Sequence, residues 1–258
     1  MERIIEITTR DGRMETFVTH PERRGPFPAV VVYMDVWGIR EELYDIARRI
    51  ATAGYYAVVP DLYYRFGRVR NEYRAADGKM LSLQALPKPD QNKVLAPLAS
   101  LSDTMVVADT GALIAYLAAA AEAGEPVKPG VMGSIGYCMG GRYIMSVAAA
   151  YPDQIKASAG LHPTSLISER ADSPHKAAAQ LRGELYFGFA EHDPYAPLPM
   201  IRELAALVRP FPVIYQYCIH KGAKHGYALP DRDIYDKQAA NRDWEIIFDM
   251  YRRQIPPA

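Results

Sequence analysis

The sequence predicts an α/β domain in which a mostly parallel central sheet carries helices on both faces. Three observations point there. Short valine-rich apolar runs, such as AVVVYMD at 29–35, read as strands buried on both sides, the pattern of parallel rather than half-exposed antiparallel sheets. Segments of helical periodicity separate these runs, and strand–helix–strand alternation implies right-handed crossovers. No internal repeat or low-complexity linker interrupts the 258 residues, so one domain is expected over 1–258.

The elements follow in order. ERIIEIT (2–8) and METFVTH (14–20) flank TRDGR, where Asp11-Gly12 signals a hairpin. The proline-marked PERRGPFP (21–28) leads into the buried run at 29–35. In REELYDIARRIATAG (40–54), Leu43, Ile46, Ala47 and Ile50 keep helical spacing, and Gly54 ends it. YYAVVPDLYY (55–64) is the next buried strand. Residues 63–100 are polar, tyrosine-rich and punctuated by prolines, and read as an irregular loop or small lid over the sheet's C-terminal edge. A long helix is expected over 103–124, with Ser102 or Asp103 as its N-cap. Strand, helix and strand then follow at 130–138, 140–152 and 155–162. Strands at 183–190 and 211–220 flank a helix at 197–208, and an amphipathic helix at 233–254 completes the pattern.

Composition narrows the function. Thirty basic residues match thirty acidic ones, so no global field attracts nucleic acid or an anionic membrane surface. The apolar runs read as shorter than the ~20 residues of a membrane span. The N-terminus MERIIEITTRDGRMETF has charges where a signal peptide needs an apolar centre, so a cytoplasmic location is expected. Two cysteines, Cys138 and Cys218, fit free thiols in a reducing compartment. The expected partner is a small molecule, and the expected state a monomer or small homo-oligomer.

The chemistry concentrates at GSIGYCMGG (133–141). Gly136, Cys138 and Gly140 form G-x-C-x-G, the nucleophile-elbow pattern with sulfur in place of oxygen. Glycines are needed because the elbow strains the nucleophile's backbone and crowds its flanks against strand and helix. The helix start behind the nucleophile favours negative charge on it.

A nucleophile needs a base, and the base a group to orient it. Asp193 in EHDPYAP and His225 in KGAKHGYALP each fall just past a predicted strand, in the chain order nucleophile, acid, histidine. His20 and His175 lie in proline-bearing loops, His192 adjoins the acid, His220 ends a strand, and His162 follows a strand where it borders the pocket. His192, Asp193, Cys218, His220 and His225 show no zinc spacing, so no metal is expected.

Together, GYCMGG, EHDPYAP, AKHGY and the early VVVYMDVWGI and GYYAVVPDLYYR resemble dienelactone hydrolase (carboxymethylenebutenolidase), over about 14–250. The resemblance implies an α/β-hydrolase fold, no cofactor, and a Cys138–His225–Asp193 triad. It also places Asp35 where the family has a carboxylate that holds the resting thiol, and makes the Val36 and Met139 N–H groups the oxyanion donors. Two such donors contribute about 3–4 kcal/mol each. Leu229 stands where the family carries a substrate-anchoring arginine, and Arg65, Arg68, Arg70 and Arg74 are candidates for a second. Trp37, Tyr64, Tyr137, Tyr195 and Tyr227 are candidate aromatic walls. The function expected is hydrolysis of a small ester or lactone through an acyl-enzyme; the alternative is a non-catalytic binding or signalling protein on the same fold.

Overall fold

Stiff β-branched side chains crowd a helix but fit a pleated strand, and an uninterrupted run of them must be covered on both faces. In the computed structural model, which describes residues 1–23 and 25–257, this holds for β3 (Phe27–Tyr33), buried at every residue. Before it, β1 (Glu2–Thr9) and β2 (Gly12–Thr19) form the expected hairpin, shifted by one residue. Thr9 pairs with Gly12, so the loop is Arg10-Asp11 and Gly12 supplies the closing φ of +145°.

After β3 come α1 (Glu41–Thr52), β4 (Tyr56–Pro60), α2 (Lys88–Ala99), α3 (Asp103–Glu122) and β5 (Val127–Tyr137). The chain continues through α4 (Met139–Ala150), β6 (Ile155–Leu161), β7 (Glu184–His192), α5 (Leu198–Val208), β8 (Ile214–Lys224) and α6 (Lys237–Gln254). The eight strands run in the order β1-β2-β4-β3-β5-β6-β7-β8. β2 pairs antiparallel with both β1 and β4, and β3 to β8 are mutually parallel. The chain turns from one side of β3 to the other at β5, and the crevice at such a switch point is where open α/β sheets bind ligands.

Helices cover both faces. A side chain at Gly133 would strike Tyr251 and Ile255, at and just after the end of α6, whereas one at Gly136 would strike α4 at Gly140. Residues three apart in a strand point to opposite faces, so α6 and α4 lie on opposite sides. The Arg49 guanidinium sits 4.4 Å over the Trp244 ring, joining α1 to α6. α3 packs on α4. By length and apolar composition α3 also passes as a membrane span, contrary to the sequence reading of shorter runs. In this fold Asp103 and Asp109 of α3 pair with Arg142 and Arg65.

The segment expected to be irregular holds more structure than its prolines suggested. Residues 63–100 contain two 3-10 turns, Tyr64–Phe66 and Leu83–Ala85, and the twelve-residue helix α2. Prolines at a helix start have no N–H to lose, so Pro87 and Pro89 mark the beginning of α2. The segment is stitched to the loop after β8. Met80 N donates to Asp231 O at 2.7 Å, Asp233 N donates to Met80 O at 3.0 Å, and the Ser82 hydroxyl donates to Asp233 Oδ1 at 2.7 Å.

Beneath the same loop, Asp243 of α6 is fully buried and accepts from Tyr186 Oη at 2.6 Å, Tyr227 Oη at 2.5 Å and His220 Nε2 at 2.6 Å. One carboxylate therefore ties β7, β8 and the turn after β8 to α6. Asp243→Ala leaves three buried donors without an acceptor and is expected to cost about 3–5 kcal/mol. Urea unfolding reads this as a lower midpoint at unchanged m, and a loss below about 1 kcal/mol would contradict it.

Candidate active site

Cys138 sits between β5 and α4 with φ +56° and ψ −115°, a conformation a non-glycine residue holds only when its surroundings impose it. The imposition is visible. A Cβ on Gly136 would lie 2.2 Å from Gly140 O, and one on Gly140 would lie 2.4 Å from Tyr33 O. Both glycines therefore exist for close backbone approach, and the turn they permit lifts the thiol above the sheet edge. Cys138 N donates to Leu161 O at 3.0 Å, which pins the elbow to β6.

Asp193 and His225 arrive from the ends of β7 and β8. His225 Nδ1 lies 2.7 Å from Asp193 Oδ2, and Asp193 Oδ1 accepts from Tyr195 N at 2.9 Å. The His225 ring is packed edge-on by Tyr195 at 4.7 Å and His162 at 5.0 Å between centroids. Burial opposes charge on His225. The neighbouring Cys138 sulfur and the hydrogen bond to Asp193 overcome that and lift its pKa to about 10. His162 is also buried at the cavity wall, and desolvation and the neighbouring His225 push its pKa well down, so it is neutral.

The turn after β3 supplies the opposite wall. Asp35, 1% exposed, accepts from Trp37 N at 3.1 Å and from Arg40 Nη1 and Nη2 at 2.7 and 3.0 Å. Arg40 grips Asp231 with its other edge, Nε to Oδ2 at 2.6 Å. Asp35 thus faces the cavity with its carboxylate engaged by Arg40; among the described residues it makes no hydrogen bond to Cys138. The Val36 and Met139 N–H groups donate to no partner among the described residues, which leaves both free at the elbow. Tyr63 touches both residues, its hydroxyl 3.3 Å from Val36 O and 3.4 Å from Met139 Sδ.

These walls enclose about 350 Å³ lined by Cys138, His225 and Asp35, with Leu83, Leu95 and Leu98 of the 63–100 segment as an apolar roof. A wider groove of about 630 Å³ beside Pro26 and Pro126 is open and brings no nucleophile and base together. The Dienelactone hydrolase family profile matches residues 14–255. The chain belongs to the dienelactone hydrolase family. A Synechocystis sp. protein named for carboxymethylenebutenolidase is 24% identical across 98% of this chain and 96% of its own. A Klebsiella pneumoniae structure named for dienelactone hydrolase superposes with a TM-score of 0.81 at 21% identity, covering 98% of each chain. A dienelactone hydrolase-like promiscuous phosphotriesterase from metagenomic libraries superposes with a TM-score of 0.75 at 19% identity, again over 98% of each. The fold is accordingly that of the α/β-hydrolases, and the chain is a hydrolase of this family.

Several candidates named from the sequence fall elsewhere in this member of the family. Trp37 and Tyr195 line the cavity, but Tyr64, Tyr137 and Tyr227 do not. Tyr64 lies outside it with its hydroxyl between Thr9 Oγ1 at 2.7 Å and Asp109 Oδ1 at 2.9 Å. Tyr137 is fully buried, because strand alternation turns it to the face opposite the one Gly136 presents to α4. Tyr227 is fully buried on Asp243. Arg65 is spent on Asp11 and Asp109, Arg70 on Asp61 and Glu15, and neither Arg68 nor Arg74 lines the cavity. Of the other histidines, His220 is bonded to Asp243 and His192 is exposed.

Leu229 is fully buried, and three residues later Arg232 lines the cavity. Its guanidinium lies 5.0 Å over the Trp37 ring, with Nη1 4.0 Å from Asp35 Oδ2 and Nε unpartnered among the described residues. The only sequence signal for it was an arginine inside the histidine loop, ALPDRD.

Gly140→Ala is expected to lose about 3 kcal/mol or more, since the neighbouring atoms are backbone and cannot rotate away. A thermal or urea midpoint equal to wild type would refute the close-approach account. Because folding raises the His225 pKa, its imidazolium stabilises fully below 6.5 and loses that contribution as pH rises to about 10. Wild type should therefore lose more stability than His225→Gln across that window, and equal losses would mean a neutral imidazole.

Proposed function

We propose that the protein hydrolyses a small ester or lactone through a thioester intermediate, with Cys138 as nucleophile and His225, oriented by Asp193, as acid and base. The reading is carried by one observation. A histidine joined to a buried aspartate at 2.7 Å stands against a cysteine on a strained strand–helix turn, and the cysteine and the histidine line one cavity. The family-level activity supports it.

The steps follow from the groups in place. The Cys138 sulfur attacks the carbonyl carbon, and the carbonyl oxygen takes the negative charge between the Val36 and Met139 N–H groups. Collapse of that intermediate breaks the bond to the alkoxide or enolate, which takes the proton from His225. Neutral His225 then removes a proton from water, whose oxygen attacks the thioester, and the thiolate leaves as the acid forms. Asp193 keeps Nδ1 protonated, so Nε2 is the nitrogen that exchanges the proton. Asp35 clamps Arg40 and the Trp37 N–H, which holds the turn presenting Val36. The roof of leucines excludes bulk water, which strengthens these charge interactions.

Cys138→Ala and His225→Gln should each lower kcat on p-nitrophenyl acetate by about 10³-fold or more, and Asp193→Asn by about 10²-fold or more. Intact-mass spectra of quenched wild type should show an acyl adduct that Cys138→Ala lacks. Unchanged turnover in Cys138→Ala would remove the nucleophile assignment and leave a different chemistry.

A further inference from the structure

β8 ends the sheet on one side, and its free edge is built unlike the other. At the opposite edge, β1 carries Glu2, Arg3 and Glu6, each in an ion pair, with Arg48, Glu125 and Arg13 respectively. Charges of this kind keep an edge strand from pairing with another chain. β8 lacks them along its middle. The stretch VIYQYCI at 213–219 has no charge, proline or glycine, and Ile214, Tyr217 and Ile219 are exposed, at 50%, 42% and 37%. Lys221 and Lys224 come only after it. An uncharged stretch of strand-forming residues left open at an edge is a template for association.

The edge is also in register with itself. Ile214 N donates to Gly183 O at 2.9 Å, and Ile214 pairs with Glu184 of β7. Backbone groups alternate in direction along a strand, so Tyr215, Tyr217 and Ile219 point their N–H and C=O away from β7, off the sheet. The side chains of these three share one face, with Tyr215 and Tyr217 5.7 Å apart between ring centroids. Gln216 and Cys218 take the other face, under α6. Arg242 of α6 lies close enough to Cys218 to offset part of the burial that raises its thiol pKa. Two turns along, Asp249 stands on the same side of α6. Both are exposed; Arg242 is in no ion pair among the described residues, and Asp249 meets Arg252 of its own helix.

We propose that β8 pairs antiparallel with β8 of a second copy of this chain, about a two-fold axis through Tyr217, joining two eight-stranded sheets into one. Such an axis sets Tyr217 against Tyr217 of the second copy and Tyr215 against its Ile219. Each outward residue then exchanges both N–H···O bonds with its opposite. The facing side chains are aromatic and β-branched, the cross-strand pairs that stabilise sheets. The same axis reverses the second copy's α6 and turns its Asp249 toward Arg242. An unrelated strand would satisfy the backbone, but a stretch that matches its own reverse in register, side chains and charge is what an isologous contact requires.

Sedimentation velocity at about 50 μM protein should find a dimer that dissociates on dilution. Ile219→Lys places a charge in the seam, and Tyr217→Pro removes an outward N–H while sparing the β7 ladder. Each should raise the dimer Kd by about 100-fold or more. Arg242→Glu should raise it by about 10-fold by facing Asp249, and adding Asp249→Arg should restore it. Far-UV circular dichroism matching wild type shows that the monomeric variants are folded.

Gln216→Cys reads the register directly. Position 216 faces Cys218 of the second copy in a pair that makes no backbone bonds, the closer of the two kinds. Mild oxidation of this variant should therefore give a covalent dimer that wild type does not form. A wild-type monomer at that concentration overturns the proposal and leaves the edge to a different partner. A dimer that survives both Ile219→Lys and Tyr217→Pro, or that Gln216→Cys does not cross-link, also overturns it by placing the contact on another face. If Ile219→Lys and Tyr217→Pro fail to fold, the cross-link and the charge-reversed pair still decide.

Discussion

Backbone meets backbone where β5 gives way to α4, and the rest of the site is arranged around that contact. Gly140 lies so close to the carbonyl of Tyr33, and Gly136 to that of Gly140, that no side chain fits at either position. This closeness draws α4 against β3 and forces the residue between the glycines into a backbone conformation it would not choose alone. Steric exclusion, more than attraction, therefore sets where the sulfur stands. It also brings the start of α4 beside the turn after β3, at the cavity that Val36 and Cys138 line.

Charge around this space is balanced in sets instead of pair by pair. Arg40 bridges Asp35 and Asp231, and Arg232 adds a second positive charge beside Asp35 with its Nε unpartnered among the described residues. Asp103 neutralises Arg142 without saturating it. Removing two ions from water costs several kcal/mol each, recovered only when their remaining donors find partners. The cavity wall carries Arg142, Arg170 and Arg232 against the single carboxylate of Asp35.

Much of this was legible from one chain because the relevant signals are local. The glycines flanking Cys138 state a steric requirement, and Asp193 and His225 each stand one or a few residues past a strand. In a parallel sheet such positions share one edge, so order along the chain becomes proximity in space. α2 was not legible, because Pro87, Pro89 and Pro97 carry the same letters whether they start a helix or break a loop. Tyr64 and Tyr63 differ by one position and point to different parts of the molecule, one to Asp109 and the other to Val36.

By itself the sequence determined the sheet, its crossovers, the strained elbow and the order of its partners. Those follow from periodicity, from glycine's missing side chain and from connection handedness, all properties of short stretches. Only the tertiary structure decided which arginines face the cavity. Arg65 and Arg70 find carboxylates elsewhere, while Arg142 and Arg232 are carried to the wall by a helix turn and a loop. The physical reason is that a long cationic side chain goes where its counter-charges let it, and those counter-charges come from residues far away along the chain.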